Sequence, residues 1–266
     1  MKREELVKQI KAKKSLLCVG LDTDLNKIPK HLGTELYAIV EFNKAIIDAT
    51  KEFTVSYKIN TAFYEQYGSK GWDLMEETLN HIPKDCFTIA DAKRGDIGNT
   101  SAMYAKAFFE TLNFDSLTVA PYMGEDSLSP FYSYPRKWII CLGLTSNNGS
   151  KDFQILDVGG KKLYQNVMET VATWGTSDDT MFVVGATKAE QMLEIRNSFP
   201  EHFLLVPGVG AQGGNLEEVC KNACNKDGGL LINSSRAIIY ASDKEDFAIR
   251  AGEEARKMQQ VMKKYL

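Results

Sequence analysis

The chain has 266 residues, of which 44% are apolar and 25% charged, and a formal net charge of −3. That length suits one large domain or two modest ones, and the composition is ordinary for a soluble globular protein. Basic and acidic residues are interspersed without a lysine or arginine block, which argues against a nucleic-acid polymer or an anionic membrane as the main partner. A small anionic ligand needs only a local basic site and stays open.

The first segment, Met1 to Lys14, is strongly charged and reads as a short N-terminal helix; Ser15 to Leu21 is apolar. The pair superficially resembles a secretory leader. The apolar part is short, however, and it ends at Asp22-Thr23-Asp24 with no small-residue cleavage site. No apolar run approaches the roughly 18 residues of a membrane span, so a cytoplasmic location is expected. The odd number of cysteines, five, fits reduced thiols. Cys18 and Cys141 lie in apolar runs and read as buried thiols. Cys220 and Cys224 are four apart, but no histidine or further cysteine stands at zinc-finger spacing, so no metal is expected there.

Along the chain, short runs rich in β-branched and apolar residues recur: Leu16–Leu21, Val55–Ile59, Phe87–Ala90, Ser116–Ala120, Trp138–Leu144, Met181–Gly185, Phe203–Val206 and Gly229–Ile232. Each reads as a buried parallel strand. The segments between them carry helical spacing. Ala102, Ala105, Phe109 and Leu112 form one apolar stripe, and Phe247, Ala251, Ala255, Met258 and Met262 form another. Asn99-Thr100-Ser101 supplies cap-type residues for the helix before Tyr104. Eight strand–helix alternations in one chain, with no Pro/Gly/Ser linker, predict a single-domain (β/α)8 TIM barrel over residues 1–266. A doubly wound sheet is the alternative.

A barrel directs attention to the polar residues just after each strand, because chemistry in this fold sits where strands end and βα loops begin. Asp22 follows the first run, and Lys58 and Asn60 close the second. The third leads into Asp91-Ala92-Lys93-Arg94-Gly95-Asp96-Ile97-Gly98-Asn99-Thr100. Residues two apart on a strand share a face, so Asp91 and Lys93 should point together into the barrel mouth beside Lys58. A structural ion pair is the plain reading of a lone Asp-x-Lys. Two lysines and two aspartates converging at the mouth weaken it, since a packed charge cluster is costly to desolvate and function motivates it better.

The seventh run leads into Pro207 to Gly214, which contains Gly-x-Gly-x-x-Gly. A dinucleotide fold needs several more β/α units after that fingerprint, and too little chain remains. A glycine-rich loop at this point of a barrel suits a phosphate, cradled with the next loop, Asn233-Ser234-Ser235-Arg236. Arg236 is suited to a bidentate phosphate grip. The long segment Thr145 to Gly160 after the fifth run reads equally as a lid or a surface loop. His31, His81 and His202 lie away from these loops, which leaves a Ser/His/Asp or Cys/His triad little support. The chain also lacks a P-loop and a His-Glu-x-x-His motif.

The run Asp91 to Thr100 closely resembles the signature of orotidine 5′-phosphate decarboxylases, and looks most like the longer-chain subgroup of that family. The resemblance continues through Gly20-Leu21-Asp22, Tyr57-Lys58-Ile59-Asn60, Leu144-Thr145-Ser146-Asn147, Pro207 to Gly214 and Ser235-Arg236, in that order. It implies a cofactor-free and metal-free enzyme that makes UMP from orotidine 5′-monophosphate. Lys58, Asp91, Lys93 and Asp96 would form an alternating charge network around a central Lys93. Asp96 and Thr100 would reach the active site of a partner subunit, so a homodimer is implied. Asp22 and Asn60 would bind ribose hydroxyls, Thr145 and Ser146 would face the pyrimidine, and Gln212, Ser235 and Arg236 would hold the 5′-phosphate. Many family members have glycine where this chain has Ser235, so side-chain and backbone contacts both stay open there. Magnesium-dependent sugar-phosphate decarboxylases and aldolases share the barrel and the Asp-x-Lys-x-x-Asp element, but typically carry a carboxylate where this chain has Lys58.

Overall fold

A computed structural model describes residues 1–186, 189–209 and 215–266. Among the described residues, eight parallel strands close into a barrel: β1 (Leu17–Gly20), β2 (Ser56–Asn60), β3 (Phe87–Arg94), β4 (Ser116–Val119), β5 (Trp138–Leu144), β6 (Thr180–Val184), β7 (Phe203–Pro207) and β8 (Leu230–Ser234). Each strand pairs with its neighbour in the chain, and β8 closes on β1 through Leu17 opposite Ile232 and Val19 opposite Ser234. The expected (β/α)8 barrel is the observed fold. Strand ends differ from the sequence reading by one or two residues, with one larger exception at β3.

The strands are largely apolar because helices cover them outside and side chains fill them inside, and residues such as Lys58, Asn60, Asp91 and Lys93 fall toward their C-terminal ends. Near the N-terminal ends of the strands, the Trp138 ring meets Phe87 and Phe203 edge-on, with centroids 5.9 and 6.1 Å apart. The expected N-terminal helix, Arg3–Lys13, packs there through Leu6 and Ile10. The stripe on the C-terminal helix Phe247–Met262 faces inward: Phe247, Ala251, Ala255 and Met262 are buried, and Phe247 stacks on Phe42 at 5.1 Å. Each large ring so buried contributes about 1.5–3 kcal/mol. No sequence pattern announces Arg196. It is buried at the end of the barrel away from the strand C-termini, and donates to the carbonyls of His202 (2.7 Å), Gly229 (2.8 Å) and Ala223 (2.7 Å). Burial pulls its pKa down to about 10, so it stays charged at neutral pH and ties the starts of β7 and β8 together.

The five cysteines are free thiols, and Cys18 and Cys141 are buried. Among the described residues, no group of three or more His, Cys, Asp or Glu side chains is arranged to hold a metal, and no helix is long and apolar enough to cross a membrane.

Two local expectations need correction. The apolar run predicts a third strand that ends at Ala90, and the strand runs on to Arg94. Its pairing with β4 shifts register between Ala90 and Arg94, and Lys93 there takes φ +49°. Simple alternation therefore does not aim Lys93. The helix after β3 begins at Gly98, with Ile97 at the cap position and no side-chain cap bond. Asn99, Thr100 and Ser101 lie inside its first turn. The Ser101 hydroxyl turns back instead, accepting from the Asp96 amide (2.9 Å) and donating toward the Asp96 (2.7 Å) and Ser127 (2.7 Å) carbonyls.

Candidate active site

The C-terminal ends of β1, β2, β3, β7 and β8 surround a cleft of about 400 Å³. Asp22, Lys58, Asn60, Asp91, Ser235 and Arg236 line it, with Asp24, Lys27, Phe63 and Tyr240.

Lys58 is the buried centre of the charge cluster. Its ammonium donates to Asp22 Oδ1 at 3.1 Å and to Asp91 Oδ2 at 3.0 Å. The other oxygen of Asp91 accepts Lys93 Nζ at 2.6 Å, and Asp22 Oδ2 accepts the Ser235 hydroxyl at 2.8 Å. The result is one linked series: Ser235, Asp22, Lys58, Asp91, Lys93. Its four charges alternate and sum to zero. Burial alone opposes ionisation of Lys58, but the two carboxylates outweigh it and raise its pKa above the lysine range. Burial likewise opposes ionisation of Asp91, yet Lys58 and Lys93 hold its carboxyl well below the usual carboxylate range. Side-chain exposure separates the members sharply: 5% for Lys58, 12% for Asp91 and 48% for Lys93. The Lys93 ammonium is thus the end of the series that reaches solvent, and Lys93 itself is not among the residues lining the cleft.

Two residues that sequence reasoning missed hold this arrangement. Thr118, on β4, donates to Asp91 Oδ1 at 3.0 Å and accepts from the Lys93 amide at 2.9 Å. The only sequence signal is a polar residue inside the apolar run Ser116–Val119. Tyr240 accepts from the Asp24 amide at 2.8 Å and donates to the Asp22 carbonyl at 3.3 Å, so it ties the loop after β8 to the loop after β1. Gly20 carries a requirement of its own. A β-carbon there would stand 1.9 Å from Ser235 Oγ, so only glycine leaves room for the hydroxyl that reaches Asp22.

Asn60 lines the cleft, and its Oδ1 accepts from the Ala62 amide at 3.2 Å. Arg236 is exposed at the cleft, and no described residue pairs with its guanidinium. Thr145 and Ser146 lie at the end of β5, outside that lining set. Thr145 is clamped by Gln154, whose amide oxygen accepts from the Thr145 backbone (2.8 Å) and whose amide nitrogen donates to its hydroxyl (2.9 Å). The segment beyond contains a helical turn, Ser150–Phe153, and a short antiparallel pair, Asp157–Val158 with Lys161–Lys162. Asp96 is half-buried and Thr100 exposed. Among the described residues, no ion pair joins Asp96 to Lys93 or Lys58 within the chain. Arg94, beside Lys93, points elsewhere: it pairs with Glu65 and lies over the Tyr104 and Phe108 rings. Gln212 lies outside the described residues.

The model of the orotidine 5′-phosphate decarboxylase / HUMPS family matches residues 15–251. The chain is 61% identical over 265 residues to an orotidine 5′-phosphate decarboxylase of Flavobacterium johnsoniae, covering 98% of this chain and 97% of that one. It is 59% identical to one from Christiangramia forsetii, with the same coverage of both chains. The solved structure of Leishmania donovani OMP decarboxylase superimposes with a TM-score of 0.83 at 36% identity, over 98% of this chain and 99% of that one.

Proposed function

The chain belongs to the orotidine 5′-phosphate decarboxylase / HUMPS family, and from that premise we propose that its decarboxylation of orotidine 5′-monophosphate to UMP turns on the Lys93 ammonium. Cleavage of the C6–carboxylate bond releases CO2 and leaves the electron pair on C6, in the plane of the ring, where no π system delocalises it. A fixed cation beside C6 lowers the barrier electrostatically. The same ammonium then gives a proton to C6 to complete UMP, and recovers one from water. The observation that carries this reading is the alternating series whose half-exposed end is Lys93, with Lys58 buried and Asp22 and Asp91 partly buried.

Asp91 anchors and aims Lys93, and Lys58 balances Asp91 against Asp22. Asp22 and Asn60 bind ribose hydroxyls, and Thr145 and Ser146 face the pyrimidine. Gln212, Ser235 and Arg236 hold the 5′-phosphate. The unpartnered guanidinium of Arg236 supports that assignment. Because the Ser235 hydroxyl is committed to Asp22, its backbone N–H is the group left for phosphate. Binding energy from that remote grip positions the ring at Lys93.

We further propose a homodimer in which Asp96 and Thr100 complete the partner's site. Asp96 has no partner among the cluster's charges within its own chain. Ile97, next to it in the chain, and Met103, Tyr122 and Met123, in the segments that follow β3 and β4, are exposed apolar side chains of the kind that a subunit interface covers.

The test is incubation with orotidine 5′-monophosphate in the presence of EDTA, following the pyrimidine absorbance. The expected result is complete conversion to UMP. Loss of activity with EDTA and its return with Mg2+ would instead favour the magnesium-dependent branch of this fold, whose members typically carry a carboxylate where this chain has Lys58.

A further inference from the structure

We propose that Thr118 is a positioning residue that sets the aim of Lys93, a reading that rests on Lys93 as the proton donor. The polarity of its two hydrogen bonds is fixed by their partners. An ionised carboxylate can only accept, so the Thr118 hydroxyl spends its single proton on Asp91 Oδ1, 3.0 Å away. A backbone amide can only donate, so the Lys93 N–H, 2.9 Å away, uses a lone pair on the same oxygen. One fully buried oxygen therefore holds both the anchor carboxylate and the backbone of the residue it anchors.

The backbone at this point needs such a hold. The β3–β4 pairing resumes at Arg94 opposite Val119 only after a register shift, so the Lys93 amide is held by the Thr118 hydroxyl. Lys93 itself takes φ +49°, in the left-handed region that non-glycine residues rarely adopt. Relaxation to extended backbone would swing its Cα–Cβ bond and carry Nζ away from Asp91. The carboxylate is fixed in the same way. Lys58 holds one oxygen, and Thr118 with Lys93 holds the other, so Asp91 cannot rotate about its terminal bond without losing one of them. Thr118 is fully buried and its hydroxyl is spent on Asp91 and the Lys93 amide, so its influence on turnover passes through those two residues.

The experiment compares Thr118→Val, which keeps shape and removes the hydroxyl, with Thr118→Ser, which keeps the hydroxyl, and uses Lys93→Ala as the reference for the premise. Thr118→Val should lower kcat about 10- to 100-fold, the loss expected for a hydrogen bond to a charged group. Its KM and its affinity for UMP should stay within about threefold of the parent, because the phosphate and ribose contacts are untouched. Thr118→Ser should restore kcat to within about threefold. Parental kcat in Thr118→Val, or equal impairment in the serine and valine variants, would overturn the proposal. If valine prevents folding, Thr118→Cys, with a similar volume and a poor donor, is read by the same criteria. The premise fails separately: full activity in Lys93→Ala removes it, whereas an inert Lys93→Ala beside a fully active Thr118→Val removes the Thr118 assignment alone.

Discussion

Replacing Lys58 by methionine tests the energetics of the charge series. Methionine fills much the same volume but leaves Asp22 and Asp91, whose side chains are 18% and 12% exposed, facing each other without the cation between them. Removing one member of a buried pair costs about 3–5 kcal/mol, because the other charge stays buried and uncompensated. For a chain of this size that corresponds to a fall in Tm of roughly 10 °C. The loss should depend on pH, and its sign follows from Asp91. In the parent, Lys58 and Lys93 depress the Asp91 pKa against the effect of burial, so its stabilising contribution is complete above the unfolded value of about 3.9 and is lost only as pH falls well below it. In the variant, burial acts with Lys58 gone and the carboxyl titrates higher. Acidification then neutralises the misplaced charge, and the gap between variant and parent narrows. Urea denaturation at neutral pH and at about pH 4.5 measures both free energies. A loss below about 1 kcal/mol, or one that is the same at both pH values, would refute the reasoning.

Arg236→Ala should raise KM about 10- to 100-fold with little change in Tm, since it removes an exposed, charge-assisted phosphate contact; an unchanged KM in steady-state assays would move the phosphate site elsewhere. Gly20→Ala should push Ser235 off Asp22 and cost about 1–3 kcal/mol together with substrate affinity, read by thermal melting and by KM. A parental melting curve and KM would mean that the β1–β8 contact is looser than described. Mixing inactive Lys93→Ala and Asp96→Ala subunits should recover up to about a quarter of parental activity, because half of the dimers then carry one complete site. No recovery despite verified subunit exchange would exclude shared sites.

Most of the barrel is legible from pattern alone, because strands buried on both faces must be apolar and the helices between them carry one apolar stripe. The convergence of Lys58, Asp91 and Lys93 is legible too, since the fold dictates where strand ends meet, whereas the pairing of Asp22 with Lys58 is not. What escapes is whatever depends on local backbone rather than on period. The shift beyond Ala90 and the left-handed φ of Lys93 have no composition signal, so alternation places Lys93 at the mouth for an incomplete reason. The expected cap at Asn99-Thr100-Ser101 fails because Ser101 closes the Asp96 turn instead. Thr118, Tyr240 and Gln154 act by hydrogen bonds between segments distant in sequence or across a loop; a polar residue in an apolar run is the sole local mark of Thr118, and nothing in their own neighbourhood marks the other two. Gly20 reads as an ordinary strand glycine until Ser235 is seen pressed against it.

The central claim concerns where one nitrogen sits when the pyrimidine is bound. A crystal structure of the chain with a UMP-like ligand measures it directly. The account predicts Lys93 Nζ at about 3 Å from C6 of the ring, within reach for proton delivery. A separation beyond about 6 Å, with the phosphate properly seated on Arg236, would contradict it.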